Sequence, residues 1–286
     1  MTKEGIINFS EKEYPAKLKN IDTPPPFLRW KGNLNKEILG ETLAVVGSRR
    51  ASSYGKMIAE NLVKDIAGEG ITIVSGFMYG IDAIAHKSAL EVGGKTIAVM
   101  PCGIDIVHPA YQASLYNQIA QKGLIFSELK DGFKPERWTY VKRNRIVVGL
   151  SSAILVIEAE EKSGSLISAN FAKKYKRKIF AVPGPINSST SKGTNNLIKE
   201  GASIVTSAND ILSFFKRDKK KVFEDKKKNL DPDEKKVVAF LEIEMADIDT
   251  ISKNTEIDIS KLNKIISLLE LKGFIKKREN RYHLSM

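Results

Sequence analysis

The order of apolar and polar positions changes character at residue 43. Before it, residues 1–42 show weak periodicity around Pro24-Pro25-Pro26, which predicts an irregular N-terminal arm packed on the core. After it, short runs rich in Val and Ile alternate with amphipathic segments. The runs predict strands at 43–47, 71–75, 96–100, 124–127, 153–157, 179–182 and 203–205. The segments between them predict helices at 54–67, 80–92, 111–122, 164–175, 194–200 and 208–215. In the first helix Met57, Ile58, Leu62, Val63 and Ile66 recur at helical spacing. Strands that lack polar alternation, each followed by a helix, imply an α/β fold: a doubly wound, mostly parallel sheet covered on both faces.

The pattern changes again near residue 216. Residues 216–228 hold eight Lys and Arg against three acidic residues, so 216–230 reads as a solvated, self-repelling linker. Asp231-Pro232 then opens a helix over 233–243, with Val237, Val238 and Leu241 on one face. A shorter helix follows at 248–254 and a longer one at 259–272. Residues 273–284 alternate about a polar turn, as a hairpin does. Three helices and a terminal hairpin describe a winged helix over 231–286.

Length and composition narrow the class. The chain of 286 residues has room for one large domain and one small one, each with its own core. No apolar run approaches the roughly 20 residues that span a bilayer, and Met1-Thr2-Lys3-Glu4-Gly5 is no signal peptide. The single cysteine, Cys102, excludes an intrachain disulfide, and no Cys/His cluster has zinc spacing. A cytoplasmic location, no membrane contact, no metal and no cofactor are the expectations. The net charge of +12 resides mostly outside the winged helix: residues 1–215 hold 28 Lys and Arg against 20 Asp and Glu, and residues 231–286 hold 10 against 11. A basic main body suits a polyanionic partner such as nucleic acid, although solubility alone can account for it. The neutral tail argues against tight DNA binding by the winged helix alone and leaves a protein-contact role open.

In a doubly wound sheet, ligands bind at the carboxyl ends of the strands. The loops there are Gly47-Ser48-Arg49, Ser75 to Asp82, Pro101 to Asp105 and Glu158 to Ser165, each with at least one glycine. The strand–Gly–helix turn at Gly47 puts free N–H groups and a helix N-terminus at one point, which favours a phosphate, and Arg49 adds a donor fork for it. Arg137-Trp138-Thr139-Tyr140-Val141-Lys142-Arg143-Asn144-Arg145 interleaves aromatics with cations, as single-stranded nucleic acid requires. In that segment Arg137 and Tyr140 favour a ligand, whereas Asn144 favours bracing of the sheet at the start of a helix. Lys162-Ser163-Gly164-Ser165 can hold a second anion, or Ser163 can be an ordinary N-cap. Asp82 and His86 share a helical face but lack a third metal ligand, so packing of their loop is the better reading. Cys102 has no partner base. No Ser-His-Asp arrangement, paired carboxylates or HExxH is present, which points to a binder rather than a catalyst.

These blocks together resemble the DprA/Smf family of DNA-processing proteins. The resemblance rests on Tyr14-Pro15, Val46-Gly47-Ser48-Arg49 with Tyr54-Gly55, Ser75-Gly76 with Gly80-Ile81-Asp82-Ala83 and His86, and Gly103-Ile104-Asp105 with His108-Pro109. It also rests on Arg143-Asn144-Arg145 through Ser151, Glu158-Ala159, Lys162 to Ser165, Phe180 to Gly184 and Gly193 to Ile198. It implies an extended Rossmann-like domain that dimerises, binds single-stranded DNA and delivers a RecA-type recombinase onto it during natural transformation. The family's phosphate-gripping arginine falls on Arg49, and its cation-plus-aromatic pair on Arg137 and Tyr140. The DNA contacts expected are therefore Ser48, Arg49, Arg137, Tyr140, Lys142, Arg143, Lys162, Ser163, Gly164 and Ser165. Met78-Tyr79 stands where many members carry Ala-Arg, and the arm before residue 43 is too short for the N-terminal helical domain of some members. The rival readings are an enzyme that splits nucleoside monophosphates and a double-strand DNA regulator acting through the winged helix. The first lacks its Pro-Gly-Gly loop here, and a nicotinamide dehydrogenase would need a GxGxxG spacing that Gly47-Ser48-Arg49 does not offer.

Overall fold

A computed structural model describes residues 2–216, 227, 229–278 and 280–284. Most of the predicted lysine-rich linker, at 217–226 and 228, lies outside the described residues. Contacts divide the chain into two units, residues 1–211 and 212–286.

The first unit is built on a nine-stranded sheet. Its strands are β1 (Glu4–Asn8), β2 (Phe27–Gly32), β3 (Thr42–Val46), β4 (Thr72–Gly76), β5 (Thr96–Val99), β6 (Leu124–Ser127), β7 (Ala153–Val156), β8 (Lys178–Ala181) and β9 (Ser203–Ile204), in the order β1-β2-β6-β5-β4-β3-β7-β8-β9. All pairs from β6 to β9 are parallel. The helices are α1 (Ala16–Lys19), α2 (Ser53–Gly68), α3 (Ile81–Glu91), α4 (Ala113–Lys122), α5 (Arg137–Gly149), α6 (Gly164–Lys174), α7 (Ser189–Lys199) and α8 (Ala208–Leu212). Every residue of β3 is buried, and the strands lack alternation because both faces are covered. Ile97 and Val99 turn to one core with α5 and α6, while Ala98 and Met100 turn to a second with α3 and α4.

The arm is more regular than its sequence suggests. β1 and β2 form an antiparallel pair, and β2 adds antiparallel to β6 with Arg29 opposite Ser127. They are marginal strands, and β1 is exposed at three of its five positions, so their apolar signal is weak. Tyr14 Oη donates to the Pro25 carbonyl at 2.8 Å and pins the proline run to the unit. The helix expected to begin at Arg143 starts at Arg137, because Glu136 and Thr139 form a reciprocal cap: Glu136 N–H donates to Thr139 Oγ1 at 3.1 Å.

The second unit carries α9 (Pro232–Leu241), α10 (Ile248–Thr255), α11 (Ile259–Leu271), β10 (Ile275–Arg278) and β11 (Arg281–Leu284). Asp231 caps α9 and exchanges hydrogen bonds with Glu234, at 2.8 and 3.1 Å. Val237, Ile251, Leu262, Leu269 and Ile275 close a separate core. The hairpin pairs Lys277 with Tyr282, and Ala246 adds a single bridge to Tyr282. This is the winged-helix pattern.

Candidate nucleic-acid interface

The sheet changes direction between β3 and β7: one half of the chain winds outward through β4, β5 and β6, the other through β8 and β9. Loops leaving such a switch point diverge and leave a crevice. Here the crevice is a cleft of about 520 Å³ lined by the ends of β3 and β4, the start of α6 and one side of α5.

The loop after β3 is locked to the loop after β4. Ser48 Oγ accepts the Arg50 N–H at 3.1 Å, and the Ser48 carbonyl accepts the Ile81 N–H at 3.3 Å. Gly80 lies at φ +82° with its Cα against the Ser48 and Arg49 carbonyls. An added Cβ would meet both oxygens in a backbone conformation that L side chains rarely adopt. Gly80→Ala is therefore expected to cost about 1–3 kcal/mol through backbone strain alone, read as a lower urea midpoint. An unchanged midpoint would mean that the two loops are not interlocked in solution.

Arg49 is exposed, and its guanidinium carbon lies 5.0 Å from the centre of the Tyr140 ring. Tyr140 is fixed at its hydroxyl, which bonds His108 Nε2 at 2.8 Å. Burial, with the Arg49 cation second, pushes the His108 pKa down, so the imidazole is neutral at pH 7. On the opposite wall Ser163 caps α6: its Oγ accepts the Ser165 N–H at 3.3 Å, and the two hydroxyls stand 2.6 Å apart. Ser163 is thus an N-cap that also lines the cleft.

Of the residues expected from the sequence, Ser48, Arg49, Arg137, Tyr140, Arg143, Ser163, Gly164 and Ser165 line the cleft. Lys142 and Lys162 are exposed and do not line it; Lys142 turns toward Glu128 (3.6 Å) and the Trp138 ring (5.7 Å). Arg143 forms part of the floor and is only 4% exposed, donating to the Val99 carbonyl and packed on Gly76. Asn144 braces α5 to α6, donating to the Gly164 carbonyl at 3.4 Å. The sequence names Tyr79 only as a departure from the family pattern and His108 only as part of the resemblance; the structure makes Tyr79 an exposed ring at the cleft and bonds His108 to the Tyr140 hydroxyl. Tyr79 lies in a loop already marked by its glycines. Nothing in the local sequence ties His108 to Tyr140.

The remaining reactive side chains are occupied. Burial pulls the His86 pKa down to about 4, and both ring nitrogens are bonded, Nε2 donating to the Gly76 carbonyl (2.7 Å) and Nδ1 accepting from Thr96 (2.6 Å). Burial pushes the Cys102 thiol up to about 12, so it stays protonated. Among the described residues no group of three His, Cys, Asp or Glu could hold a metal ion.

The sequence of residues 5–216 matches the family profile of DNA recombination-mediator protein A, and residues 223–280 match that of the DprA winged helix domain. The chain belongs to this family. It is 38% identical over 211 residues to DNA processing protein DprA of Bacillus subtilis, spanning 73% of this chain and 71% of that one. It is 41% identical over 206 residues to Protein Smf of Synechocystis, but the match spans only 52% of that longer relative. Among solved structures, DNA processing protein A of Streptococcus pneumoniae superposes with a TM-score of 0.70, 39% identity and 74% of each chain covered. DNA processing protein A of Helicobacter pylori, whose structure concerns its single-stranded DNA binding mode, gives 0.67 with 31% identity, covering 76% of this chain and 97% of that one.

Proposed function

We propose that this chain binds single-stranded DNA in the β3–β7 cleft and delivers a RecA-type recombinase onto it, as a homodimer acting in the cytoplasm during natural transformation. The observation that carries the reading is the Arg49 guanidinium standing over the face of Tyr140, opposite the capped start of α6. A cation and an aromatic plane at one point serve a phosphate and a neighbouring base together, which a duplex, with its bases stacked inside, does not present. Ser48 and the Lys162–Ser165 loop would hold further phosphates, with Arg137 beside the base. The reading needs no catalytic group, cofactor or metal. The family's recombination-mediator role and the Helicobacter relative's single-strand binding support it.

Anisotropy titrations of labelled oligo(dT) and of a duplex of equal length test it. Single-strand binding should be the tighter, and removal of residues 217–286 should leave it largely intact. If the truncation abolishes binding, or if the duplex binds better, DNA is held by the winged helix, whose hairpin carries Lys276, Lys277, Arg278 and Arg281. Recombinase loading is then read as strand exchange on DNA pre-coated with single-strand binding protein, with and without the chain.

A further inference from the structure

The first turn of α2 has what a strand–glycine–helix fold uses to seat a phosphate: backbone N–H groups without an intrahelical acceptor, the positive end of a sixteen-residue helix and a glycine that allows close approach. That seat is filled from within the protein. Glu158, just past the end of β7, is 2% exposed and turns its carboxylate into the turn. Its Oε2 accepts the Ser52 N–H at 2.9 Å, and its Oε1 accepts the hydroxyls of Ser52 at 2.5 Å and Thr190 at 3.1 Å. Gly55 lies so close that a Cβ there would collide with the carboxylate. Ser52 completes the arrangement by accepting the Gly55 N–H at 3.0 Å.

The partners of this buried carboxylate are a backbone N–H and two hydroxyls, the donor set of a bound oxyanion. No Lys or Arg pairs with it among the described residues. A buried anion without a cation needs another source of positive potential, and the helix terminus supplies it.

We infer that Glu158 is a built-in occupant of the phosphate seat at α2, a specificity-determining residue that bars nucleoside phosphates and free phosphate from the position where related topologies hold them. The consequence concerns which anions the fold refuses, so it stands apart from the strand-binding proposal. Removing the carboxylate uncovers donors already arranged for an oxyanion, and a small anion added from solution should take its place.

Thermal unfolding of wild type, Glu158→Ala and Glu158→Gln in sodium chloride and in sodium phosphate of equal ionic strength tests this. Glu158→Ala should melt lower in chloride and recover in millimolar phosphate, the recovery growing with the logarithm of phosphate concentration. The quantity read is the shift beyond that of wild type, so phosphate held elsewhere on the protein cancels. Glu158→Gln, whose amide still fills the seat, should melt between the other two and gain no more from phosphate than wild type does. If Glu158→Ala does not fold in chloride, return of native circular dichroism on refolding in phosphate supports the inference, and its absence overturns it. It is equally overturned if phosphate moves Glu158→Ala no more than wild type, or moves Glu158→Gln as far as Glu158→Ala.

Discussion

Replacing Arg143 with methionine is expected to lower the unfolding free energy by about 1–3 kcal/mol, the cost of leaving a buried acceptor without its donor. The guanidinium is buried against Gly76, donates to the Val99 carbonyl, and has its Nε 3.2 Å from Asn144 Oδ1. Burial works to depress the Arg143 pKa and to raise that of Asp82, and each charge opposes the shift of the other. Methionine fills much of the volume but leaves the Asp82 carboxylate without its balancing cation and the Val99 carbonyl without its donor. A second substitution, Asp82→Asn in the Arg143→Met background, removes the stranded charge. It should recover part of the loss, whereas two unrelated sites would add their costs. Urea midpoints at constant m-value measure both. A loss below about 1 kcal/mol for Arg143→Met would mean that the guanidinium does not hold the cleft floor.

The alternation of strands and helices was legible because β3 to β8 are covered on both faces, so their apolar runs are unbroken. The edge was not: β1 and β2 are half-solvated, and their alternation is diluted by Arg29 and Lys31. The start of α5 was hidden for another reason. Four of its first six residues are exposed and its last two turns are buried nearly all round, so no single stripe marks it as helix. In the cleft, residue types pointed to Arg49 and Tyr140 separately, because a guanidinium suits phosphate and a phenol ring suits a base. That the two touch, and that His108 holds the ring, depends on strand order and is invisible to local spacing. The strand–glycine–helix turn after β3 shows the limit most clearly. Gly47, Ser52 and Gly55 carry the signature of an anion seat, yet the seat's occupant is Glu158, about a hundred residues away in sequence and brought there because β7 pairs with β3. The anion-binding chemistry at this corner of the sheet is thereby divided: a carboxylate settled at α2, and an exposed arginine left free to face solvent.

That division makes Arg49→Ala the decisive variant for DNA binding. A hydrogen bond to a charged group contributes about 1.5–3 kcal/mol, so affinity for oligo(dT) should fall by about 10- to 150-fold. Affinity at a single salt concentration does not tell a lost phosphate contact from any other loss, and the salt dependence does. Each phosphate neutralised on a single strand contributes about −0.7 to the slope of log K against log salt. Arg49→Ala should make that slope shallower by about this amount, for every sequence alike, since a phosphate contact carries no base information. Arg49→Lys should keep the slope while losing part of the affinity, because it retains the charge but not the planar fork. Tyr140→Ala should weaken binding with the slope unchanged, because stacking releases no counterion. Anisotropy titrations at four or more salt concentrations resolve all three patterns. If Arg49→Ala leaves both affinity and slope where they were, the strand does not pass over Arg49, and the β3–β7 cleft is not its path.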